Sequence, residues 1–289
     1  MTTVPTGDLV AAAHANGGGI AAFNVITLEY AEAIVAGAER TGLPVILQVS
    51  ENAVRFHGGR VGPLAAALRG VAADAAVAVG LHLDHVESVT LLRQAPEHGF
   101  SSAMFDASSL PYEENVTATK AAAEFAHGHD LWLESELGMV GGKEGRPPLP
   151  PHDPGARTDP DQAAAYVAAT GVDALAVAVG STHAMAIRDA TLDHQLIAAL
   201  RDAVPVPLVL HGSSGVPDAQ LRAAVYHGIT KVNIGTALNV AFTSAVRQIL
   251  DADPSLVDPR KYVRPARDAM ETTVAHFLTV LADAQAIVA

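Results

Sequence analysis

The sequence predicts a (β/α)8 barrel, and three observations carry that prediction. Short β-type runs alternate with helix-length stretches along almost the whole chain. Eight such units over about 250 residues match the size of a closed barrel. The glycine-rich turn that an open doubly wound sheet usually places after its first strand is missing. Gly17-Gly18-Gly19 precedes the first strand, which itself leads through Ile26-Thr27 straight into a helix.

The predicted strands are Ile20–Val25, Pro44–Ser50, Val77–His85, Ser102–Ser108, Leu131–Leu137, Leu175–Gly180, Pro207–Gly212 and Thr230–Thr236. Each is a short apolar run, as expected of parallel strands buried on both faces. Ala- and Leu-rich segments with helical spacing lie between them: Leu28–Arg40, Val61–Ala75, Tyr112–His127, Asp161–Thr170, Thr191–Ala203, Pro217–Tyr226 and Ala237–Leu250. A C-terminal extension follows over 251–289, with a helix expected from about Ala266 to Ala286, and the chain 1–289 reads as one domain. One connection breaks the rhythm. Gly138 to Pro160 is rich in glycine and proline, without helix or strand signal, as a lid over a site would be.

Composition narrows the classes. Apolar residues make up 49% and aromatics only 4%, so the core is Ala, Val, Leu and Ile. A net charge of −13 argues against nucleic acid or an anionic membrane as partner. With no Cys, a metal must be held by His, Asp or Glu. The N-terminus lacks a signal-peptide layout and no run approaches a membrane span, so a cytoplasmic protein is expected.

Barrel active sites lie where the strands end. His85, Asp106, Glu134, Glu136, His183, His211 and Asn233 all fall at or near such ends. Three imidazoles closing three strands suit a catalytic zinc with an open coordination position. Asp84, beside His85, reads as either a general acid or a carboxylate orienting an imidazole. His82 reads as structural. Glu134 and Glu136 share one face of their strand, where buried carboxylates are costly unless paired or bound to metal. Gly212-Ser213-Ser214-Gly215 after the seventh strand and Asn233-Ile234-Gly235-Thr236 after the eighth place small residues before helix N-termini. Backbone N–H groups there are available to a phosphate.

With those motifs in view, the chain resembles the class II, metal-dependent ketose-bisphosphate aldolases, which include fructose- and tagatose-1,6-bisphosphate aldolases. The resemblance runs from Ala22-Phe23-Asn24 to the C-terminal helix. It rests on His82-Leu83-Asp84-His85, Ser102-Ala103-Met104-Phe105-Asp106, Glu134-Ser135-Glu136-Leu137-Gly138 with Gly141-Gly142, and Thr182-His183. His211-Gly212-Ser213-Ser214-Gly215, Lys231-Val232-Asn233-Ile234 and Asp258-Pro259-Arg260 followed by Arg264 complete it.

The resemblance implies His85, His183 and His211 as ligands of the catalytic zinc. Asp106 and Glu136 match a second or alternate metal position. Asp84 is implied as the proton donor at the C4 oxygen, and Glu144 as the base acting on dihydroxyacetone phosphate. Asn24, Ser50, Ala184, Gly212, Ser213, Ser214, Asn233, Ile234, Gly235 and Thr236 form the implied substrate and phosphate set. A monovalent cation, Na+ or K+, can share that site. Arg264 matches an arginine reaching the distal phosphate, including from a neighbouring subunit of a homodimer or homotetramer.

Three features depart from the family pattern, one of them the lid, where Lys143-Glu144 and the run Pro147-Pro148-Leu149-Pro150-Pro151 are unusual. Ala184 stands where relatives usually have Gly. Gly235 replaces an acidic residue of one fructose-bisphosphate branch, which leans the comparison toward the tagatose type. The expected activity is reversible cleavage of a ketose 1,6-bisphosphate in carbohydrate metabolism such as glycolysis. The alternatives are another phosphorylated substrate, such as 5-dehydro-2-deoxygluconate 6-phosphate, or a non-catalytic sugar-phosphate binder. Two rival chemistries are a metal-dependent hydrolase and an imine aldolase using Lys231, which shares its strand face with Asn233.

Overall fold

A computed structural model describes residues 2–138, 140 and 157–283. Eight parallel strands close into a barrel in sequence order, β8 pairing back onto β1. They are β1 Ile20–Asn24, β2 Val45–Ser50, β3 Val79–Val86, β4 Ser102–Phe105, β5 Trp132–Leu137, β6 Ala174–Val177, β7 Leu208–Leu210 and β8 Ile229–Ile234. All eight predicted runs are strands, with ends shifted by a few residues; β3, β6 and β8 each reach one residue beyond the expected bounds.

The helices are α1 Thr6–Ala15, α2 Leu28–Thr41, α3 Glu51–Phe56, α4 Val61–Asp74, α5 Val89–Leu92, α6 Tyr112–His127, α7 Pro160–Thr170, α8 His194–Ala203, α9 Asp218–His227, α10 Thr236–Ala252 and α11 Arg260–Ala282. Three of these lack a sequence expectation. The first, α1, lies under the barrel, where Leu9 and Val10 pack on Ile20, Ala22 and Ile46. The others, α3 and α5, span only six and four residues and are nucleated by their caps. Ser50 Oγ accepts from Ala53 N and Ser88 Oγ from Leu91 N.

The C-terminal helix begins at Arg260, earlier than expected. The Asp258 carboxylate accepts the Arg260 N–H at 3.1 Å and caps the first turn, and Pro265 sits inside the helix at the cost of one backbone bond. This helix packs along α2 and α10. Among the described residues, no helix is long and apolar enough to cross a membrane.

The main apolar core lies between strands and helices, while the barrel interior is polar toward its mouth. Gln48, His82, Asp84, Ser102, Glu134, Glu136, Lys231 and Asn233 are all buried there. An apolar interior would be cheaper, since buried charges are costly unless paired. The polar filling therefore marks the functional end of the barrel. Of the 138–160 connection, Gly138, Val140 and Arg157–Pro160 are described, and the rest of the expected lid lies outside the described residues. Thr158 fixes its far end: Oγ1 donates to the Leu137 carbonyl at 2.6 Å and accepts from Ala178 N at 2.8 Å.

Candidate active site

On β3 the two-residue period points His82 and Asp84 into the barrel and would send His85 to the outside. The backbone corrects this. His85 has φ +48, and the pairing of β3 with β4 shifts register between Leu83 and Val86. Such a bulge re-aims one side chain, here placing the His85 ring at the mouth. His82 remains below, its Nδ1 2.8 Å from Ser102 Oγ. Burial holds its imidazole neutral, well below the usual histidine range.

His85, His183 and His211 converge. Their ring centroids are 5.0 Å (His85–His183), 4.6 Å (His85–His211) and 5.7 Å (His183–His211) apart. His211 Nδ1 lies 3.0 Å from His85 Nε2 and 3.6 Å from Glu136 Oε2. One ligand atom from each of these four residues falls within 4.8 Å of the others. The far edges of two rings are held by carboxylates. Asp106 Oδ2 is 2.9 Å from His85 Nδ1, and Glu134 Oε1 is 2.9 Å from His211 Nε2. A carboxylate that accepts the N–H of one ring nitrogen fixes the tautomer and leaves the other nitrogen's lone pair for a metal. Three imidazoles, two of them oriented this way, and a carboxylate fit a zinc ion.

Asp106 has both oxygens engaged, since Oδ1 accepts from the Ser108 N–H at 3.2 Å and its hydroxyl at 2.7 Å. In this arrangement it acts on His85 rather than facing the shared centre, where Glu136 stands. Asp84 is 1% exposed yet borders the cavity. Asn233 Nδ2 donates to its Oδ1 at 3.3 Å, and Gln48 Nε2 donates to its Oδ2 at 3.3 Å.

A cavity of about 430 Å³ opens above this cluster, large enough for a sugar phosphate. Asn24, Ser50, Ala184, Gly212, Ser213, Ser214, Asn233, Gly235 and Thr236 line it, together with His85, His183, Asp84 and Asp106. Gly212 has φ +67, and a Cβ there would stand 2.4 Å from the Thr182 carbonyl. Only glycine lets the His211 strand pass the loop that carries His183. Ser214 Oγ accepts the Ala237 N–H at 3.0 Å, fastening the phosphate-type loop to the start of α10. At Gly235 a Cβ would meet Asn24 Oδ1 at 2.9 Å, so the side chain lost there makes room for the Asn24 amide. Ala184 carries φ +59, the left-handed conformation glycine would accept without strain.

Three expected residues stand apart. Glu144 lies outside the described residues. The Ile234 side chain is buried in the apolar core, leaving only its backbone near the site. Arg264 is exposed on α11 and does not line the cavity of its own chain. Glu51, Asn52 and Arg55, in the Ser50–Phe56 segment expected to read sugar hydroxyls, also line the cavity, as do Gln48, Glu87 and Asn239, for which the sequence carries no expectation. The parity of Gln48 on β2, and a Ser50 cap opening α3, were the available signals.

A closed parallel barrel with three convergent histidines at its mouth has a cluster that could hold a metal ion. Comparison with known proteins narrows the class. Residues 4–286 match the family model described as fructose-bisphosphate aldolase class-II. A fructose-bisphosphate aldolase of Geobacillus stearothermophilus is 40% identical over 258 residues, covering 87% of each chain. The YdjI aldolase of Escherichia coli K12 superposes with a TM-score of 0.83 at 32% identity, covering 98% of this chain and 99% of that one. A fructose-bisphosphate aldolase of Campylobacter jejuni shares the fold, with a TM-score of 0.80 at 23% identity over 96% and 95% of the two chains. The chain belongs to the class-II fructose-bisphosphate aldolase family and is an aldolase, a carbon–carbon lyase.

Proposed function

We propose that this aldolase is zinc-dependent and reversibly cleaves a ketose 1,6-bisphosphate, of fructose or tagatose type, to dihydroxyacetone phosphate and an aldehyde. The observation that carries the reading is the convergence of His85, His183, His211 and Glu136 on one point beneath a sugar-sized cavity. His85, His183 and His211 would hold the catalytic metal, with Glu136 as an alternate ligand and Asp106 as the group that orients His85. When bound, zinc supplies Lewis-acid stabilisation of the negative charge that develops on substrate oxygens.

The chain's own residues do the rest. The Gly212–Ser214 turn and Asn233–Thr236 at the α10 N-terminus bind the triose phosphate through backbone N–H groups and hydroxyls. A monovalent cation beside Ala184 would share that phosphate. Asp84 gives a proton to the oxygen that becomes the C4 hydroxyl in condensation, and takes it back in cleavage. Glu144 exchanges the proton on the triose carbon. Asn24 and Ser50 contact sugar hydroxyls. Arg264, exposed on its own subunit, reaches the distal phosphate of a neighbouring one in a homodimer or homotetramer. The chain works as one domain in the cytoplasm.

Two observations weigh against rival readings. Lys231 Nζ is fully buried and donates to Glu134 Oε2 at 2.8 Å and Asn233 Oδ1 at 2.7 Å, which leaves it badly placed for imine chemistry. Gly235, which accommodates the Asn24 amide, favours the tagatose-type comparison over the acid-bearing branch. A coupled assay for dihydroxyacetone phosphate release, with and without EDTA, tests the reading. Fructose and tagatose bisphosphates and 5-dehydro-2-deoxygluconate 6-phosphate are offered in turn. Release that EDTA abolishes and Zn2+ restores is expected. Release unaffected by chelation, or from none of the three, overturns it.

A further inference from the structure

Among the described residues, Lys231 is the one buried cation of the barrel interior that the proposed chemistry leaves without a task. It reaches two acceptors on two strands. Its bond to Glu134 Oε2 sits on a carboxylate whose other oxygen, Oε1, lies 2.9 Å from His211 Nε2. Its bond to Asn233 Oδ1 fixes which way that amide points, because an ammonium can only face the oxygen. The Asn233 nitrogen is thereby turned toward Asp84 Oδ1 at 3.3 Å. His211 Nε2 lies 2.9 Å from Glu134 Oε1, closer than the 3.1 Å to the same amide nitrogen; a carboxylate oxygen only accepts, so Nε2–H donates to Glu134 and Nδ1 faces His85. All of Glu134, His211 and Lys231 are 0% exposed, so neither bond is traded with water.

We propose that Lys231 is a positioning residue: through Glu134 it holds His211 in the tautomer that offers Nδ1 to a metal, and through Asn233 it holds the Asp84 carboxylate. It touches neither metal nor substrate in this role. The inference rests on the metal-site reading of His85, His183 and His211. Apart from it, the buried pair would be an expensive way to fill a barrel, since an ion pair of this kind is often matched or bettered by apolar packing.

The experiment compares the full-length parent with K231M and with E134Q/K231M, in which neither member of the pair is left as a lone charge. Zn2+ affinity is measured by competition with a chromophoric chelator, the visible spectrum is read with Co2+ in the site, and circular dichroism checks folding. K231M should bind Zn2+ about 10–100-fold more weakly, the range seen when a ligand's supporting partner is lost. Its Co2+ spectrum should shift, and kcat should fall more than KM rises. The double variant should fold and stay weak in metal, because an amide at position 134 with nothing to hold it no longer dictates the His211 tautomer.

Parent-like affinity and spectrum in K231M overturn the proposal. So does recovery of parent affinity in the double variant, which would reduce Lys231 to a counter-charge for Glu134. Failure of the double variant to fold also overturns it, by making the pair a structural element. A parent that binds neither Zn2+ nor Co2+ would instead sink the metal reading itself.

Discussion

His85 Nε2 and His211 Nδ1 stand 3.0 Å apart, each on the ring edge opposite a carboxylate, Asp106 for one and Glu134 for the other. Two strands that are not neighbours, β3 and β7, thus bring ring nitrogens to the same point. A bulge achieves this on one side and the end of a strand on the other. The arrangement accounts for the polar interior below it and for the cavity above.

Asp84 borders the cavity but is held by amides alone, with no cation within hydrogen-bond distance among the described residues. D84N should keep metal content at the parent level and lower kcat by about 10²–10⁴, the usual worth of a positioned acid–base group. Metal analysis and steady-state kinetics on the same preparation check it. A variant that loses metal in proportion to activity would make Asp84 a ligand support.

Ala184 stores strain beside the site. Its φ of +59 costs an L-residue roughly 1–2 kcal/mol relative to glycine, partly offset by the greater chain entropy glycine loses on folding. A184G should stabilise the protein by about 0.5–1 kcal/mol in urea unfolding. A destabilised A184G would show that the methyl group packs usefully.

Gly235 leaves space for Asn24, whose Oδ1 accepts from Gln48 Nε2 at 2.8 Å. G235A should push the Asn24 amide aside, breaking that bond without disturbing the barrel. A KM for the phosphorylated substrate raised about tenfold, near 1.4 kcal/mol, is expected, with an unchanged melting temperature. An unaltered KM would remove Asn24 from the substrate site.

Much of this was legible in the residues, and the failures have physical causes. Buried parallel strands are continuous apolar runs, so all eight stood out, and the period of two correctly put Glu134 with Glu136 and Lys231 with Asn233. His85 is expected at the site from its place at a strand end, but the positive φ and register shift that turn it inward against the period leave no mark on composition. Helices of four and six residues have too few turns to show a period, so α3 and α5 were missed despite their serine caps. Cross-barrel partnerships such as Glu134 with His211 join strands with no local signal at all. Arg264 matches a family motif yet is exposed and does not line the cavity of its own chain.

Tyr166 gives a test of the outer layer. Burial among α6 and α7 pushes its phenol up to about 12, with Ser135, Asn115 and Thr119 around the hydroxyl. A folded value above the unfolded one near 10 means that the stabilisation is complete below pH 10. It drains away as pH rises through about 12. Its size is on the order of 2–3 kcal/mol. Urea midpoints at pH 9 and pH 11.5 should fall more steeply in the parent than in Y166F, and equal slopes would contradict the assignment.

The most direct measurement is metal content against turnover. The purified chain, stripped with a chelator and titrated with Zn2+, should regain dihydroxyacetone phosphate release in step with one equivalent bound, and H211A should do neither. Full turnover in the stripped protein, or an H211A variant that binds and turns over like the parent, would contradict the metal centre on which the account stands.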